Sequence, residues 1–215
     1  MRIALLGPPG CGKGTQGEIV CKDLAIPHIS SGDLLRQAVQ SGNELGRAAK
    51  DYMDRGQLVP DELVIGLIKE RVAQQDCKAG FVLDGFPRNR EQAEKLDGGL
   101  VGEGLDRVVA IEVSEPALVA RLGGRRTCRG CGHLYHVSWN PPKVEGRCDA
   151  CGAEIYTRDD DREDTVRERL EVYRKRTEPL MDFYQGMGLL RRVDGEAAPA
   201  EVSKRVFAAL AVRND

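Results

Sequence analysis

A chain of 215 residues, 41% apolar and 31% charged, has the composition of an ordinary globular protein with room for one α/β core and small insertions. A formal charge of −2 and a pI near 6.0 exclude a protein whose main work is to coat nucleic acid or anionic membrane, so positive charge is expected only locally, at a site. No apolar stretch approaches the about 18 residues of a membrane span. The first apolar run is short and leads straight into a loop, so the expectation is a cytoplasmic protein without a signal peptide. Its seven cysteines are then thiols or metal ligands rather than disulfides.

The run Ile3 to Leu6 reads as a buried strand, and Gly7-Pro8-Pro9-Gly10-Cys11-Gly12-Lys13-Gly14-Thr15 follows it directly. Glycines let the backbone curl until several N–H groups point inward, and the next helix aims the positive end of its dipole at the same point. That cup fits a polyphosphate. Lys13 adds a mobile charge for its terminal groups, and a hydroxyl one or two residues on can reach the accompanying Mg²⁺. The strict pattern has that hydroxyl at Gly14; here it is on Thr15.

A helix over 16–24 with Ile19, Val20 and Leu24 inward is expected next, then a short strand from Ile26 to Ser30. In Ser31-Gly32-Asp33-Leu34-Leu35-Arg36, Ser31 or Asp33 suits a helix cap, and a hydroxyl with Arg36 one turn on suits a second anion. Residues 31–59 are polar and glycine-dotted and read as a small subdomain with little core. Pro60-Asp61 opens a helix with Leu63, Val64, Leu67, Ile68 and Val72 on one face. Phe81-Val82-Leu83-Asp84 is a strand ending in an acid that is a candidate partner for Mg²⁺, followed by Gly85-Phe86-Pro87-Arg88; Gln92 lies one turn beyond Arg88. Residues 97–104 read as a loop, 107–113 as a strand, and Glu115-Pro116 as the start of a helix.

From Gly123 to Asp161 aliphatic residues thin out, and Cys128-x2-Cys131 is separated by 16 residues from Cys148-x2-Cys151. Each pair precedes a glycine, which suits a tight knuckle. Four thiolates at this spacing make a closed tetrahedral site with no open position, so a structural Zn²⁺ is expected. His133 is near enough to serve as a reserve ligand, whereas His28, His136, Cys11, Cys21 and Cys77 have no partner pattern. A helix with Val166, Leu170 and Tyr173 inward follows, its arginines (Arg167, Arg169, Arg174, Arg176) reading as a solvated face; Pro179 ends or kinks it. A strand over 189–193 and a helix over 202–212 close the chain.

Five short strands alternating with helices predict a five-stranded parallel sheet covered on both faces, with ligands at the carboxyl ends of the strands. A cradle, Mg²⁺ and arginines are what phosphoryl transfer needs, and the lack of an evident base favours an acceptor that is itself a phosphate. On these residues a kinase acting on UMP or CMP remains an alternative. So does a nucleic-acid-associated ATPase using the cysteine ribbon, which the acidic pI disfavours.

The chain resembles the adenylate kinases of the long type almost end to end. The resemblance rests on Gly7 to Thr15, Ser31 to Arg36, Asp84 to Arg88 with Gln92, Gly124-Arg125-Arg126, Tyr135-His136, Asn140-Pro141-Pro142-Lys143 and Arg158-Asp159-Asp160. It implies a P-loop NTPase fold divided into a core (1–30, 60–123 and 162–215), an AMP-binding subdomain (31–59) and a lid (124–161). It also implies the reaction MgATP + AMP ⇌ 2 ADP, in a monomer that binds neither nucleic acid nor membrane. By the same resemblance Gly10, Cys11, Gly12, Lys13, Gly14 and Thr15 hold ATP phosphates, with Arg121, Arg125, Leu134, Tyr135 and the backbone of Ala198 completing that site. AMP is held by Ser31, which stands where many relatives have Thr, with Arg36, Gln57, Leu58, Val59, Gly85, Phe86, Pro87, Arg88 and Gln92. Arg158 and Arg169 reach the transferred or acceptor phosphate, and Asp33 and Asp84 act through Mg²⁺-bound water.

Overall fold

The computed structural model describes residues 1–100, 102 and 104–211. Five strands, β1 (Arg2–Leu6), β2 (His28–Ser30), β3 (Phe81–Asp84), β4 (Arg107–Glu112) and β8 (Leu190–Asp194), form one parallel sheet in the order β2-β3-β1-β4-β8. Alternation along the strands sends side chains to opposite faces. Ala4, Leu6, Phe81, Leu83, Val108 and Ala110 pack with α4 (Asp61–Val72), α5 (Arg90–Lys95) and α8 (Leu180–Gly186). Ile3, Leu5, Val82, Val109 and Val193 pack with α1 (Lys13–Leu24) and α9 (Pro199–Ala211). The predicted doubly covered sheet is therefore present. No helix of the described residues is long and apolar enough to cross a membrane.

Several local expectations change. The buried face of α1 is Gln16, Gly17 and Val20, while Leu24 is exposed, because the helix begins at Lys13 and is rotated to lay its first turn against the strands. Residues 31–59 contain two full helices, α2 (Ser31–Ser41) and α3 (Glu44–Asp54), and Leu35, Ala49 and Val59 join the main core, so this segment is better anchored than its polarity suggests. The cap of α2 is Ser30, whose hydroxyl accepts from the Asp33 N–H at 3.3 Å, and this leaves Ser31 free for other bonds. Leu96–Leu100, expected as loop from Asp97 on, forms one wide turn continuing α5; Val101 and Glu103 of the expected loop, and Val212 of the expected last helix, lie outside the described residues. A similar wide turn, Tyr173–Thr177, continues α7 (Glu163–Val172) before Pro179. After α6 (Glu115–Gly123) the lid forms its own antiparallel sheet, β6 (Leu134–His136), β5 (Arg125–Cys128) and β7 (Ile155–Tyr156).

Candidate active site

Strands β1, β2 and β3 end side by side, with Leu5 and Ser30 both in register with Asp84. A cavity of about 1020 Å³ lies over this rim. It is lined by Gly10 to Thr15, Ser31, Arg36, Gln57, Leu58, Val59, Asp84, Gly85, Pro87, Arg88, Gln92, Arg121, Arg125, Leu134, Tyr135, Arg158, Arg169 and Ala198. Phe86 is outside the lining; its ring is fully buried in the core, so its part is to fix the loop between β3 and α5.

Gly12, at φ 102°, turns the chain into α1, and no side chain caps that helix, so the N–H groups of its first turn face the cavity without a side-chain competitor. The Lys13 ammonium donates to the carbonyls of Gly7 at 2.7 Å and Pro8 at 2.9 Å. The Arg121 guanidinium donates to the Gly195 carbonyl at 2.8 Å and the Cys11 carbonyl at 3.3 Å, tying the phosphate loop to the loop before α9. Gln16, which the sequence did not single out, ties α1 to α9 by donating to the Pro199 carbonyl at 3.0 Å and accepting from Ser203 Oγ at 2.8 Å.

Five arginines from distant parts of the chain converge. Arg88 donates to the Gly85 carbonyl at 2.6 Å and to Ser31 Oγ at 3.3 Å. Burial, then the charges of Arg169 and Arg36, pull its pKa down to about 10. Arg158 donates to Thr127 Oγ1 at 2.8 Å, and burial with Arg36 and Arg125 nearby brings it also to about 10. Neither has a carboxylate partner among the described residues. Arg169 meets Asp160 at 3.0 Å and Asp161 at 3.2 Å, yet burial still lowers its pKa. Arg125 grips the fully buried Asp161 carboxylate with two guanidinium nitrogens. Burial works against the charge of Arg36, but Asp33, 2.6 Å away, outweighs it and raises its pKa. Cations crowded this way stabilise a ligand that brings negative charge to them.

Asp84 Oδ2 lies 3.6 Å from where a Cβ on Gly14 would stand, against the start of α1. His28, given no role by the sequence, sits 3.4 Å from the same carboxylate oxygen through Nε2. It fits there only because Gly17 lacks a side chain: an added Cβ would come within 2.5 Å of Nε2. Burial opposes the charge of His28, and Asp84 outweighs it, so its pKa is raised.

An adenylate kinase family profile matches residues 5–189. The chain belongs to the adenylate kinase family. It is 51% identical to an adenylate kinase of Caldicellulosiruptor bescii over 99% of this chain and 100% of the relative. It is 52% identical to one of Archaeoglobus fulgidus over 98% of each, and 55% identical to one of Moorella thermoacetica over 94% of each.

In the lid of the enzyme the Sγ atoms of Cys128, Cys131, Cys148 and Cys151 all lie within 4.8 Å of one another, a cluster that can hold a metal ion. Cys128 and Cys151 are 3.4 Å apart and Cys131 and Cys148 3.6 Å, close to the about 3.8 Å edge of a tetrahedral four-thiolate zinc site. Cys128 accepts from the N–H groups of Cys131 and Gly130, which lower its pKa. Cys148 accepts from the Tyr135 hydroxyl, which brings it to about 6. Donors aimed at these two sulfurs favour the thiolate form that a metal requires, whereas Cys131 and Cys151, against neighbouring sulfurs of the cluster, are shifted upward. His133 is not in the cluster; its ring meets Tyr135 edge-on and lines the cavity. His136 and Trp139, also unassigned by the sequence, stack with centroids 3.9 Å apart and line the cavity from the lid.

Proposed function

We propose that this cavity holds two nucleotides with their phosphates meeting between the phosphate loop and the five arginines. The reaction is ATP + AMP ⇌ 2 ADP, the activity of the family to which the chain belongs. The observation that carries the arrangement is the convergence of Arg36, Arg88, Arg125, Arg158 and Arg169, from the core, the lid and residues 31–59, on the cavity that Lys13 also lines, close enough for their charges to act on one another. Gly10 to Thr15 take the ATP phosphates, with Arg121, Ala198, Leu134 and Tyr135 enclosing the rest of that nucleotide. Ser31, Arg36, Gln57 to Val59, Gly85, Pro87, Arg88 and Gln92 take AMP. Lys13, Arg125, Arg158 and Arg169 balance charge that spreads over the equatorial oxygens during transfer.

Magnesium accompanies ATP, and Thr15 and Asp84 would hold its shell; when bound it would supply neutralisation of phosphate charge. An AMP phosphate is already anionic at neutral pH, so the chain needs to orient it rather than deprotonate it. Residues 31–59 and 124–161 act as small units on either side of the core, the second braced by Zn²⁺ on the four cysteines. Its closure excludes water, leaving AMP as acceptor. The enzyme works as a cytoplasmic monomer without nucleic acid. A coupled assay with ATP and AMP, CMP, UMP or GMP tests this: fast turnover with AMP is expected, and slow ATP hydrolysis indifferent to every monophosphate would sink it.

A further inference from the structure

Gln92 lines the cavity although it is only 1% exposed, and its side-chain amide is held at both ends. The N–H of Arg88 donates to Oε1 at 2.7 Å, and Nε2 donates to Asp61 Oδ1 at 2.6 Å. Asp61, the first residue of α4, is not among the lining residues. It also accepts two bonds from Asn89 Nδ2, at 2.8 and 2.9 Å, while Asn89 Oδ1 accepts from the Gln92 N–H at 2.9 Å and caps α5. Turning the amide over would set Nε2 against an N–H and Oε1 against a carboxylate, so both contacts would become repulsive. One Nε2 hydrogen and one Oε1 lone pair remain uncommitted.

An unrestrained glutamine can exchange its donor and acceptor by rotating; this one cannot. Adenine carries an acceptor at N1 beside a donor at N6. Hypoxanthine and guanine carry the reverse, a donor at N1 beside an acceptor at O6. We infer that Asp61 is a specificity-determining positioning residue of the acceptor-nucleotide site. By fixing the donor–acceptor order of Gln92 it admits 6-aminopurine monophosphates and rejects 6-oxopurine monophosphates. The inference rests on the assignment of Gln92 to the acceptor base made above.

The test measures kcat/KM with AMP and with IMP, its 6-oxo counterpart, in the full-length enzyme and in variants. Asp61→Ala should lower the AMP-over-IMP preference about tenfold or more, mainly through a higher KM for AMP and a lower one for IMP. Asp61→Asn, whose Oδ1 can still accept from Nε2, should recover most of the preference. Asp61→Ser keeps an oxygen at the start of α4 but is too short to hold the amide; it should lose the preference and serves if the alanine variant does not fold. In a Gln92→Leu background, Asp61→Ala should leave the ratio where Gln92→Leu put it. If the alanine or serine variant lowers melting temperature or slows both substrates equally, leaving the ratio intact while Gln92→Leu destroys it, Asp61 only ties α4 to α5 and the inference falls. If Gln92→Leu itself leaves the ratio intact, the assignment of Gln92 to the base fails instead.

Discussion

In the central sheet Ile3, Leu5, Val82, Val109 and Ile111 are fully buried, each packed against helices from one side or the other. In the lid, by contrast, the buried cluster is Cys128, Tyr135 and Cys148, with only Ala153 and Ile155 packed beside it. The sheet is held by apolar area removed from water, which is nondirectional and tolerant of pH. The lid has too little such area to order itself, so its geometry depends on four sulfurs and the donors aimed at them. Two modules sharing one cavity thus have different vulnerabilities.

The largest expected effect lies in the lid. Stripping metal with a chelator, or changing Cys148 to Ala, should melt β5 to β7 well below the core transition, visible as two separated steps in calorimetry; a single step, or no zinc in chelator-free protein, contradicts the comparison. Lys13→Ala should lower kcat by about a hundred- to a thousandfold while both transitions stay in place, and near-normal turnover would contradict its role. Ile3→Ala removes a fully buried side chain from β1 and should cost about 3 kcal/mol in the core transition without loss of lid metal. The smallest effect concerns Asp97, whose two buried oxygens have the Tyr184 hydroxyl nearby but make no hydrogen bond of good geometry, and whose pKa burial raises against the lowering effect of that hydroxyl. A raised folded pKa favours the fold below the unfolded value near 3.8 and loses that contribution as pH climbs through it. Asp97→Asn should therefore raise stability by about 1 kcal/mol at pH 7, an advantage that fades toward pH 4 in paired thermal melts.

What the sequence discloses follows from the range of the forces involved. Strands were legible because Ile3 to Leu6 and Phe81 to Leu83 are short apolar runs bounded by turn residues. The phosphate loop and cysteine knuckles were legible because local chemistry demands fixed spacing. Contacts between residues far apart in sequence leave no such mark: His28 beside Asp84, Gln16 reaching Pro199, Asp61 holding Gln92, and Asp161 buried between Arg125 and Arg169. The last of these explains why Arg169 looked like one of several solvated arginines. Arg167 and Arg174 do sit at the surface, paired with Glu163 and Glu115, whereas Arg169 faces inward because Asp160 and Asp161 precede its helix at the rim of the cavity.

The stacked pair of His136 and Trp139 has a use beyond geometry. Trp139 is the only tryptophan in the chain, and it is 63% exposed on a lid strand connection that borders the cavity. Its indole emission comes from one place in the molecule, without background from the core. Any displacement of the lid, or a nucleotide base arriving against the free face of the ring, changes that emission directly. The enzyme carries its own optical reporter, in the lid.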